Sequence, residues 1–245
     1  MRQPSPDRTV RPADAPGTRP SRRPSATGGN TLEDKNSFAS HVYDHIKKDI
    51  IELRLEPGAY FLTQEIAEAL GASRTPVREA VKRLEQDGWI VWESYRKARV
   101  KEITLEGAWD VFQARKMIEP FCLNWLFEQG LTRLVAGKLD VLVSEMESHH
   151  DDWVRFMYAD LAFHTVIVNE VGNTAISKFW EFLSAEITRV GIYSRSGPRK
   201  TADVVREHRE MLQALWDMDR EMVMEKLLSH YDGIFNSLRN KLQDK

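Results

Sequence analysis

Residues 73–80 read Ser-Arg-Thr-Pro-Val-Arg-Glu-Ala, and the apolar spacing that starts in this stretch predicts a helix over residues 74–87. Val77, Val81 and Leu84 recur every three or four residues, so they share one face of that helix. An apolar face of this kind has to pack against a core. The helix is therefore expected to be one element of a small globular domain.

The sequence around this helix predicts the other elements of a winged helix-turn-helix. Helical spacing over residues 42–53 is followed by a turn at Pro57-Gly58, and a second, short helix is expected over residues 63–70. Beyond the helix described above, β-prone runs at residues 89–92 and 98–103 predict a hairpin. Helix, helix, glycine turn, helix and hairpin is the order of elements in a winged helix-turn-helix.

A basic face lies beside the apolar face of the helix that starts at residue 74. Arg74, Arg78 and Lys82 are one helical turn apart, so their side chains line one side of it. A helix that enters the major groove reads bases with its N-terminal residues, and arginine can hold guanine through two hydrogen bonds. Short hydroxyl side chains suited to phosphate contacts accompany this face: Thr63, Ser73 and Thr75.

Charge is distributed unevenly along the chain. Residues 73–101 hold eight basic and four acidic side chains, a net charge of +4, whereas residues 104–245 hold 17 basic and 22 acidic side chains, a net charge of −5. A positive patch on an otherwise acidic protein attracts the phosphates of nucleic acid. The charge pattern and the predicted fold together indicate a protein that binds double-stranded DNA.

The second half of the chain is predicted to be entirely helical. No strand pattern persists beyond residue 104, and glycine and proline positions divide the apolar repeats into six helices. Their expected bounds are 105–129, 131–149, 151–171, 173–195, 201–217 and 219–243. The fold class is therefore mainly α, with a winged helix-turn-helix domain over residues 37–103 and an all-α six-helix bundle over residues 104–245.

Composition limits the remaining classes of protein. Residues 1–36 hold six of the ten prolines and few large apolar side chains, so they are predicted to form a disordered basic tail. Cys122 is the only cysteine, which excludes a disulfide within the chain and a cysteine-based zinc site. No run approaches the ~18 consecutive apolar residues of a membrane span, and the N-terminus lacks the apolar region of a signal peptide. We expect a cytoplasmic protein without a membrane partner.

Four ionisable residues lie on apolar faces of the predicted helices. Asp160 and His164 are one turn apart on one helix, while His208 and His230 share apolar stripes on two later helices. Burial of each one alone costs several kcal/mol unless it is paired or coordinated. An aspartate with three histidines suits a divalent cation such as Zn²⁺, with Ni²⁺ or another first-row metal as alternatives. The set could close a tetrahedral structural site, leave coordination positions open for water or a carboxylate, or form a hydrogen-bonded core network without metal.

The N-terminal part of the chain resembles the GntR family of transcription regulators over residues 41–103. That family carries a PG turn, then SRTPVREA, then L-x-x-(D/E)-G before the wing. This chain has Pro57-Gly58, the octet at 73–80 and Leu-Glu-Gln-Asp-Gly at 84–88. The resemblance implies that the two arginines of the octet contact bases and that a wing residue enters the minor groove. The matching residues are Arg74, Arg78 and Arg96.

The C-terminal part resembles the FCD ligand-binding domain of the FadR-like branch of the same family. The resemblance covers residues 105–240 and rests on Arg115 and Glu119 in an R-x-x-x-E pattern, on Asp-x-x-Phe-His at 160–164 and on Asn173. Six helices rather than seven resemble the VanR-type subgroup. The resemblance implies a metal in the bundle, beside a cavity for small organic acids. The matching metal ligands are Asp160, His164, His208 and His230, and the matching effector residues are Arg115 and Asn173.

These features predict a sequence-specific DNA-binding transcription regulator, not an enzyme, whose operator binding is modulated by a small organic-acid effector beside a divalent metal. Because helix-turn-helix proteins gain affinity from paired half-sites, we expect a homodimer on an inverted-repeat operator. Two alternatives remain. One is a metalloenzyme that activates water, for which the sequence offers no candidate general base near the metal-site residues. The other is a sensor for which the metal itself is the signal.

Overall fold

The computed structural model describes residues 32–94, 97–195 and 200–243. Residues 1–31, which form most of the predicted tail, lie outside the described residues, and so does the predicted wing residue Arg96. Within the described part, the N-terminal domain consists of three helices and three short strands. They are α1 (Leu32–Ile51), β1 (Tyr60–Leu62), α2 (Thr63–Ala69), α3 (Arg74–Gln86), β2 (Ile90–Ser94) and β3 (Lys97–Val100).

The predicted order of elements in the N-terminal domain is confirmed, with two differences. The helix predicted to end at residue 87 corresponds to α3, and the predicted hairpin corresponds to β2 and β3. The first helix begins earlier than expected, because α1 includes residues 32–36 of the segment that composition assigns to the tail. The strand β1 has no counterpart in the sequence prediction, since three residues are too few to establish a period of two.

The three strands form one antiparallel sheet in the order β1-β3-β2. Phe61 of β1 and Trp92 of β2 both lie opposite Ala98 of β3, so the central strand is paired on both sides. Gly58 precedes β1 with a φ of 78°, a left-handed conformation that glycine adopts without steric cost. Its N–H donates to the Val100 carbonyl over 3.0 Å, which joins the turn before β1 to the end of β3.

The predicted apolar face of α3 lies in the N-terminal core. Val77, Val81 and Leu84 are fully buried and belong to a cluster that includes residues of α1 and the sheet. α3 packs against α1 along much of its length and contacts β2 as well. Because this face points inward, the opposite side of α3 is left to solvent, and that side carries the basic residues.

The C-terminal domain contains all six predicted helices, each within two residues of its predicted bounds, and this confirms the mainly α fold class. In the described ranges, no helix has both the length and the apolar character that crossing a membrane requires. The helices are α4 (Leu105–Glu128), α5 (Thr132–Ser148), α6 (Trp153–Asn169), α7 (Thr174–Ser194), α8 (Thr201–Asp217) and α9 (Arg220–Gln243).

α6 occupies the middle of this bundle and packs against α4, α5 and α7. The helix begins after Asp152, whose side chain accepts a hydrogen bond from the Arg155 N–H over 3.1 Å. Phe156 and Phe163 are fully buried on its inner face, and Asp160 lies on the same face between them. The carboxylate of Asp160 is therefore placed in an apolar core by the helical period itself.

α7 makes direct contact with the N-terminal domain. Ala185 packs against the N-terminal core. Arg189 is buried, and its Nη2 donates a hydrogen bond to the Lys101 carbonyl, one residue after β3. A second contact between the domains joins the Tyr158 hydroxyl of α6 to Oε1 of Glu52 over 3.1 Å. The two domains thus meet along α7 and the neighbouring part of α6.

Candidate functional site

The exposed side of α3 carries the side chains predicted to read DNA. Arg74, Arg78 and Lys82 are exposed and line an open surface groove of about 550 Å³. Trp92 of the wing strand β2 lines the same groove. A groove with basic residues along a helix that starts at the surface is the arrangement that a DNA-reading helix requires.

The three predicted phosphate donors differ in exposure. Ser73 and Thr75 are exposed at the start of α3, where the N–H groups of the first helical turn have no intrahelical partners. Thr63 is the first residue of α2 and is only 9% exposed. The structure therefore brings Ser73 and Thr75 to the same surface as the basic side chains, whereas the Thr63 side chain is turned largely away from solvent.

Gln64 contacts the basic side of α3, although no sequence pattern assigns Gln64 a role. Its Oε1 accepts a hydrogen bond from Nη2 of Arg74 over 3.4 Å, and its Nε2 donates to Oε1 of Glu68 over 2.8 Å. Gln64 lies on α2, ten residues before Arg74, so their contact depends on the angle between the two helices. The helical spacing within α2 or within α3 does not predict the contact between Gln64 and Arg74.

Four buried side chains from three helices converge as the sequence predicts. α6 supplies Asp160 and His164, α8 supplies His208 and α9 supplies His230. Asp160 is 1% exposed, and each histidine is 0% exposed. One donor atom from each residue lies within 4.8 Å of the donor atoms of the other three. Ligand bonds of about 2.0–2.2 Å to a single cation put donor atoms no more than about 4.4 Å apart, so a bound cation needs at most a small inward shift of these side chains.

A hydrogen bond at Nδ1 orients each of the three imidazoles. Nδ1 of His208 lies 2.8 Å from the Val204 carbonyl oxygen. Because a carbonyl can only accept, this Nδ1 carries the hydrogen, and Nε2 then holds a lone pair. That Nε2 is 3.3 Å from Oδ1 of Asp160. The nitrogen that His208 presents to the cluster is therefore the one able to bind a metal.

Carboxylates hold the other two imidazoles in the same way. Nδ1 of His164 lies 2.5 Å from Oε2 of Glu119, and Nδ1 of His230 lies 3.0 Å from Oε2 of Glu207. Metal-binding histidines commonly donate their second N–H to a carboxylate or carbonyl, which fixes the tautomer and raises the basicity of the ligand. In the sequence Glu119 stands out only as part of the R-x-x-x-E pattern, and nothing points to Glu207, because 45 and 23 residues separate the two glutamates from their histidines.

The buried atoms of the cluster fit a divalent cation. Among the described residues, neither oxygen of Asp160 nor Nε2 of His164 makes a hydrogen bond, although Nε2 of His208 lies 3.3 Å from Oδ1 of Asp160. Buried polar atoms without a partner are rare in native proteins. In a hydrogen-bonded core network these atoms would be paired, so the geometry favours a bound cation over that alternative. One carboxylate and three imidazoles are donors that first-row metals accept.

Arg115 and Glu119 form a buried ion pair behind the cluster, with Nε and Oε1 2.8 Å apart. Burial alone would raise the pKa of Glu119, but Arg115 and His164 outweigh it and hold that pKa at about 2. Glu119 is thus ionised and accepts the His164 hydrogen. Burial alone would lower the pKa of Arg115, yet Glu119 outweighs it and the pKa is raised. Within the described chain, Nη2 of Arg115 has no hydrogen-bond partner.

Asn173, the second predicted effector residue, has a different position. Its side chain is exposed and caps the start of α7, where Oδ1 accepts from the N–H groups of Ala175 and Ile176 over 3.0 and 3.2 Å. A capping asparagine satisfies backbone donors that a helix leaves without partners. The structure therefore gives Asn173 a local role and does not bring it beside the buried cluster with Arg115.

Two family models match the chain. The model of bacterial regulatory proteins of the gntR family matches residues 38–100, and the FCD domain matches residues 110–233. The chain belongs to the GntR family and carries an FCD domain. As a GntR regulator it binds DNA through its N-terminal helix-turn-helix. The metalloenzyme alternative is set aside, because the family is one of transcription regulators and not of enzymes.

Other GntR proteins resemble this one over most of their length. The gluconate operon transcriptional repressor of Bacillus subtilis is 24% identical, over 86% of this chain and 87% of that protein. The "Probable D-xylose utilization operon transcriptional repressor" of Paenarthrobacter nicotinovorans is 25% identical, over 80% and 86%. The crystal structure of a GntR regulator from Rhodococcus sp. RHA1 has a TM-score of 0.70 at 20% identity and covers 83% of this chain and 98% of that one. This last likeness concerns the fold.

The capping role of Asn173 can be separated from effector binding. Asn173→Ala should lower the free energy of unfolding by about 1 kcal/mol, because two N–H groups of α7 lose their partner. Asn173→Ser keeps a capping oxygen but lacks the amide, so it should restore most of that stability. Thermal unfolding of both variants measures this. If Asn173→Ser is as stable as wild type yet no longer binds any small carboxylate, the residue contacts the effector after all.

The predicted base contacts of Arg74 and Arg78 can be tested through specificity. If each arginine reads a base, Arg74→Ala or Arg78→Ala should reduce discrimination between operator and unrelated DNA by ~1–3 kcal/mol. Lys82→Ala serves as the control, because loss of a phosphate contact weakens all sequences about equally. Binding titrations with both kinds of DNA over a range of salt concentrations measure the two effects. Equal losses on both DNAs for Arg74→Ala would assign Arg74 to the backbone instead.

Proposed function

We propose that this protein is a transcription regulator that senses a small organic acid, bound beside a divalent metal in the FCD domain, and changes its operator binding in response. The observation that carries the proposal is the buried cluster of Asp160 with three oriented imidazoles and the cationic Arg115 behind it. A cation and a guanidinium close together attract a carboxylate. Six helices in the described part of the domain support the VanR-type subgroup of the FadR-like branch.

The metal in this proposal is Zn²⁺, with Ni²⁺ or another first-row cation as alternatives. Asp160 and the three histidines would hold it, while Glu119 and Glu207 keep two of the imidazoles in place. Imidazole and carboxylate donors suit these cations, which also accept five or six ligands, so four protein ligands leave a coordination position open. When bound, the cation supplies positive charge and a coordination position for a carboxylate oxygen.

The operator in this proposal is an inverted repeat that two copies of the chain read together. The exposed groove along α3 supports Arg74 and Arg78 as base contacts and Lys82 as a phosphate contact. The proposal also keeps Arg96 in the minor groove and Ser73 and Thr75 at phosphates, whereas the burial of Thr63 argues against a phosphate contact there. A dimer doubles the contacts and sets the spacing of the half-sites, which a monomer cannot do.

Exposed apolar side chains on two neighbouring helices support the homodimer. Met117 and Phe121 lie on α4, and Phe179 and Phe182 lie on α7. Met117 is 70% exposed and Phe182 is 71% exposed, although both are large apolar residues. The two helices contact each other in the bundle. Large apolar side chains that stay exposed on neighbouring elements commonly mark a protein interface.

The metal-centred proposal predicts how the wild type and three variants behave. Purified wild type, after zinc loading, should hold about one cation per chain, and His208→Ala and Asp160→Ala should each lose most of it because a ligand is missing. Their operator binding without effector should persist, since no residue of α3 or the wing changes. Their response to small carboxylates such as acetate and butanoate should disappear. His150→Ala, which removes an exposed histidine outside the cluster, should match wild type.

Elemental analysis and operator titration with and without the carboxylates measure these outcomes. A wild type that stays metal-free after loading contradicts the metal site. A His208→Ala protein that responds fully to a carboxylate contradicts the link between metal and effector. Circular dichroism of each variant establishes that the helical bundle has folded before either conclusion is drawn.

The dimer surface predicts a second set of variants. Phe182→Glu should shift the protein from dimer to monomer, because a charge replaces an apolar contact that is 71% exposed in the single chain. Operator affinity should fall with it, since the half-sites are no longer linked. Sedimentation velocity gives the oligomeric state. Val141→Glu on α5, at a position 67% exposed, is the control and should leave the dimer intact. If Val141→Glu gives monomers and Phe182→Glu leaves the dimer intact, the interface lies on α5 instead.

A further inference from the structure

Met157 lies between two small cavities in the core of the FCD domain. One cavity, of about 20 Å³, has Asp160 in its wall, and the other, of about 10 Å³, has Arg115 in its wall. Met157, Gly191 and Ile234 line both cavities and so form the neck between them. A cavity of ~10–15 Å³ holds about one water molecule. Neither space, as it stands, can admit an organic acid.

Gly191 provides the place in which the Met157 side chain rests. A Cβ atom added to Gly191 would lie 2.3 Å from Cε of Met157 and 3.3 Å from its Sδ. The terminal methyl group of Met157 therefore occupies space that any other residue at position 191 would fill. Glycine inside a helix costs about 1 kcal/mol relative to alanine, and here the close approach of the thioether accounts for it.

Of the three residues in the neck, Met157 is the one that can move. Its side chain is unbranched and rotates about three bonds, whereas Ile234 is β-branched and stiff at χ1. Met157 also lies one turn before Asp160 on α6, with its side chain on the same buried face. A rotation of this single side chain would join the two cavities into one chamber that runs from Arg115 to Asp160.

We infer that Met157 is the movable partition of the effector chamber and sets the size of the acid that the chamber accepts; this inference rests on the proposed function. The ligand is a short-chain monocarboxylate whose hydrocarbon body takes the space of the displaced thioether. Arg115 at one end and the cation that Asp160 would hold at the other attract the carboxylate. Apart from Arg115, the walls at the first end are apolar, whereas the Asp160 end also has two hydroxyls and Arg195. The wall residues that carry this assignment are Val111, Phe112, Ile187, Val190, Ser194 and Ser237.

Because Met157 has to move before an acid can bind, the apparent affinity for the acid is lower than the affinity of the open state. If the open state is populated at ~1–10%, the dissociation constant rises by ~10- to 100-fold. Met157→Ala removes three heavy atoms from the neck, so no side chain has to move before an acid binds. Hexanoate should therefore bind the variant ~10- to 100-fold more tightly than wild type, and the best-bound acid should be longer by about three carbons. Met157→Leu, which keeps the number of side-chain heavy atoms but is branched and does not reach as far, should show a smaller shift.

The experiment uses the zinc-loaded full-length protein and measures dissociation constants for acetate, butanoate, hexanoate and octanoate by calorimetry. Met146→Ala is the matched control, because Met146 is equally buried but lies on α5 and lines neither cavity. Adding Gly191→Ala to Met157→Ala returns a methyl group to the neck and should reverse part of the gain. This reversal would establish that the two positions share one space.

The outcomes separate this inference from the proposed function. Acids that bind wild type but show no change of preferred length in Met157→Ala or Met157→Leu overturn the partition and leave the function standing. The partition is also overturned if Met146→Ala shows the same change in preferred acid length, since any new cavity in the core would then have this effect. A shift in length preference that persists when His208→Ala is added supports the partition and overturns the metal anchor. If no acid binds any variant, both are overturned.

Discussion

A carboxylate among three imidazoles is costly to bury in an apolar core, and the arrangement of the FCD domain follows from that constraint. Asp160 and the histidines can meet only where α6, α8 and α9 come together. Each imidazole also needs a partner on its far side, and Glu119, Val204 and Glu207 supply those partners from α4 and α8. Glu119 stays ionised in the core because Arg115 is beside it. The polar contacts therefore fix four helices more strictly than apolar packing alone, which tolerates substitution.

α7, like α6, touches both the cavities beside the cluster and the DNA-binding domain. Val190 and Gly191 line the cavity beside the Arg115 side chain. The preceding residue, Arg189, donates to the Lys101 carbonyl directly after β3. Coupling between two sites requires an element whose position both sites influence. Gly191 lies two residues after Arg189, whose hydrogen bond holds the end of the wing. A change in packing at Gly191 therefore displaces α7 close to that hydrogen bond, and α7 satisfies the requirement.

The helical period accounts for most of what the sequence could predict, and long-range contacts account for what it could not. The six C-terminal helices and the inward face of α3 follow from apolar spacing, and so do the positions of Asp160 and His164 on one face. The pairing of His164 with Glu119 depends on how α4 packs against α6, which no local pattern encodes. β1 is too short to have a period, and it is stabilised by pairing with β3. A capping asparagine such as Asn173 resembles a binding residue in sequence, because both roles need an exposed amide.

A metal sensor and a metabolite sensor would share the same four ligands, so the ligands alone do not separate the two functions. Their surroundings differ. Arg115 keeps Glu119 ionised in either case, but a domain that only had to hold a metal gains nothing from a buried Nη2 that lacks a hydrogen-bond partner among the described residues, or from two cavities divided by a flexible Met157. An unfilled cavity costs packing energy, and a buried unpaired guanidinium nitrogen costs more. Both costs are offset if an organic anion fills the space in a second state. The metal then anchors the ligand, and the signal is the change in packing that the ligand imposes on Gly191 and α7.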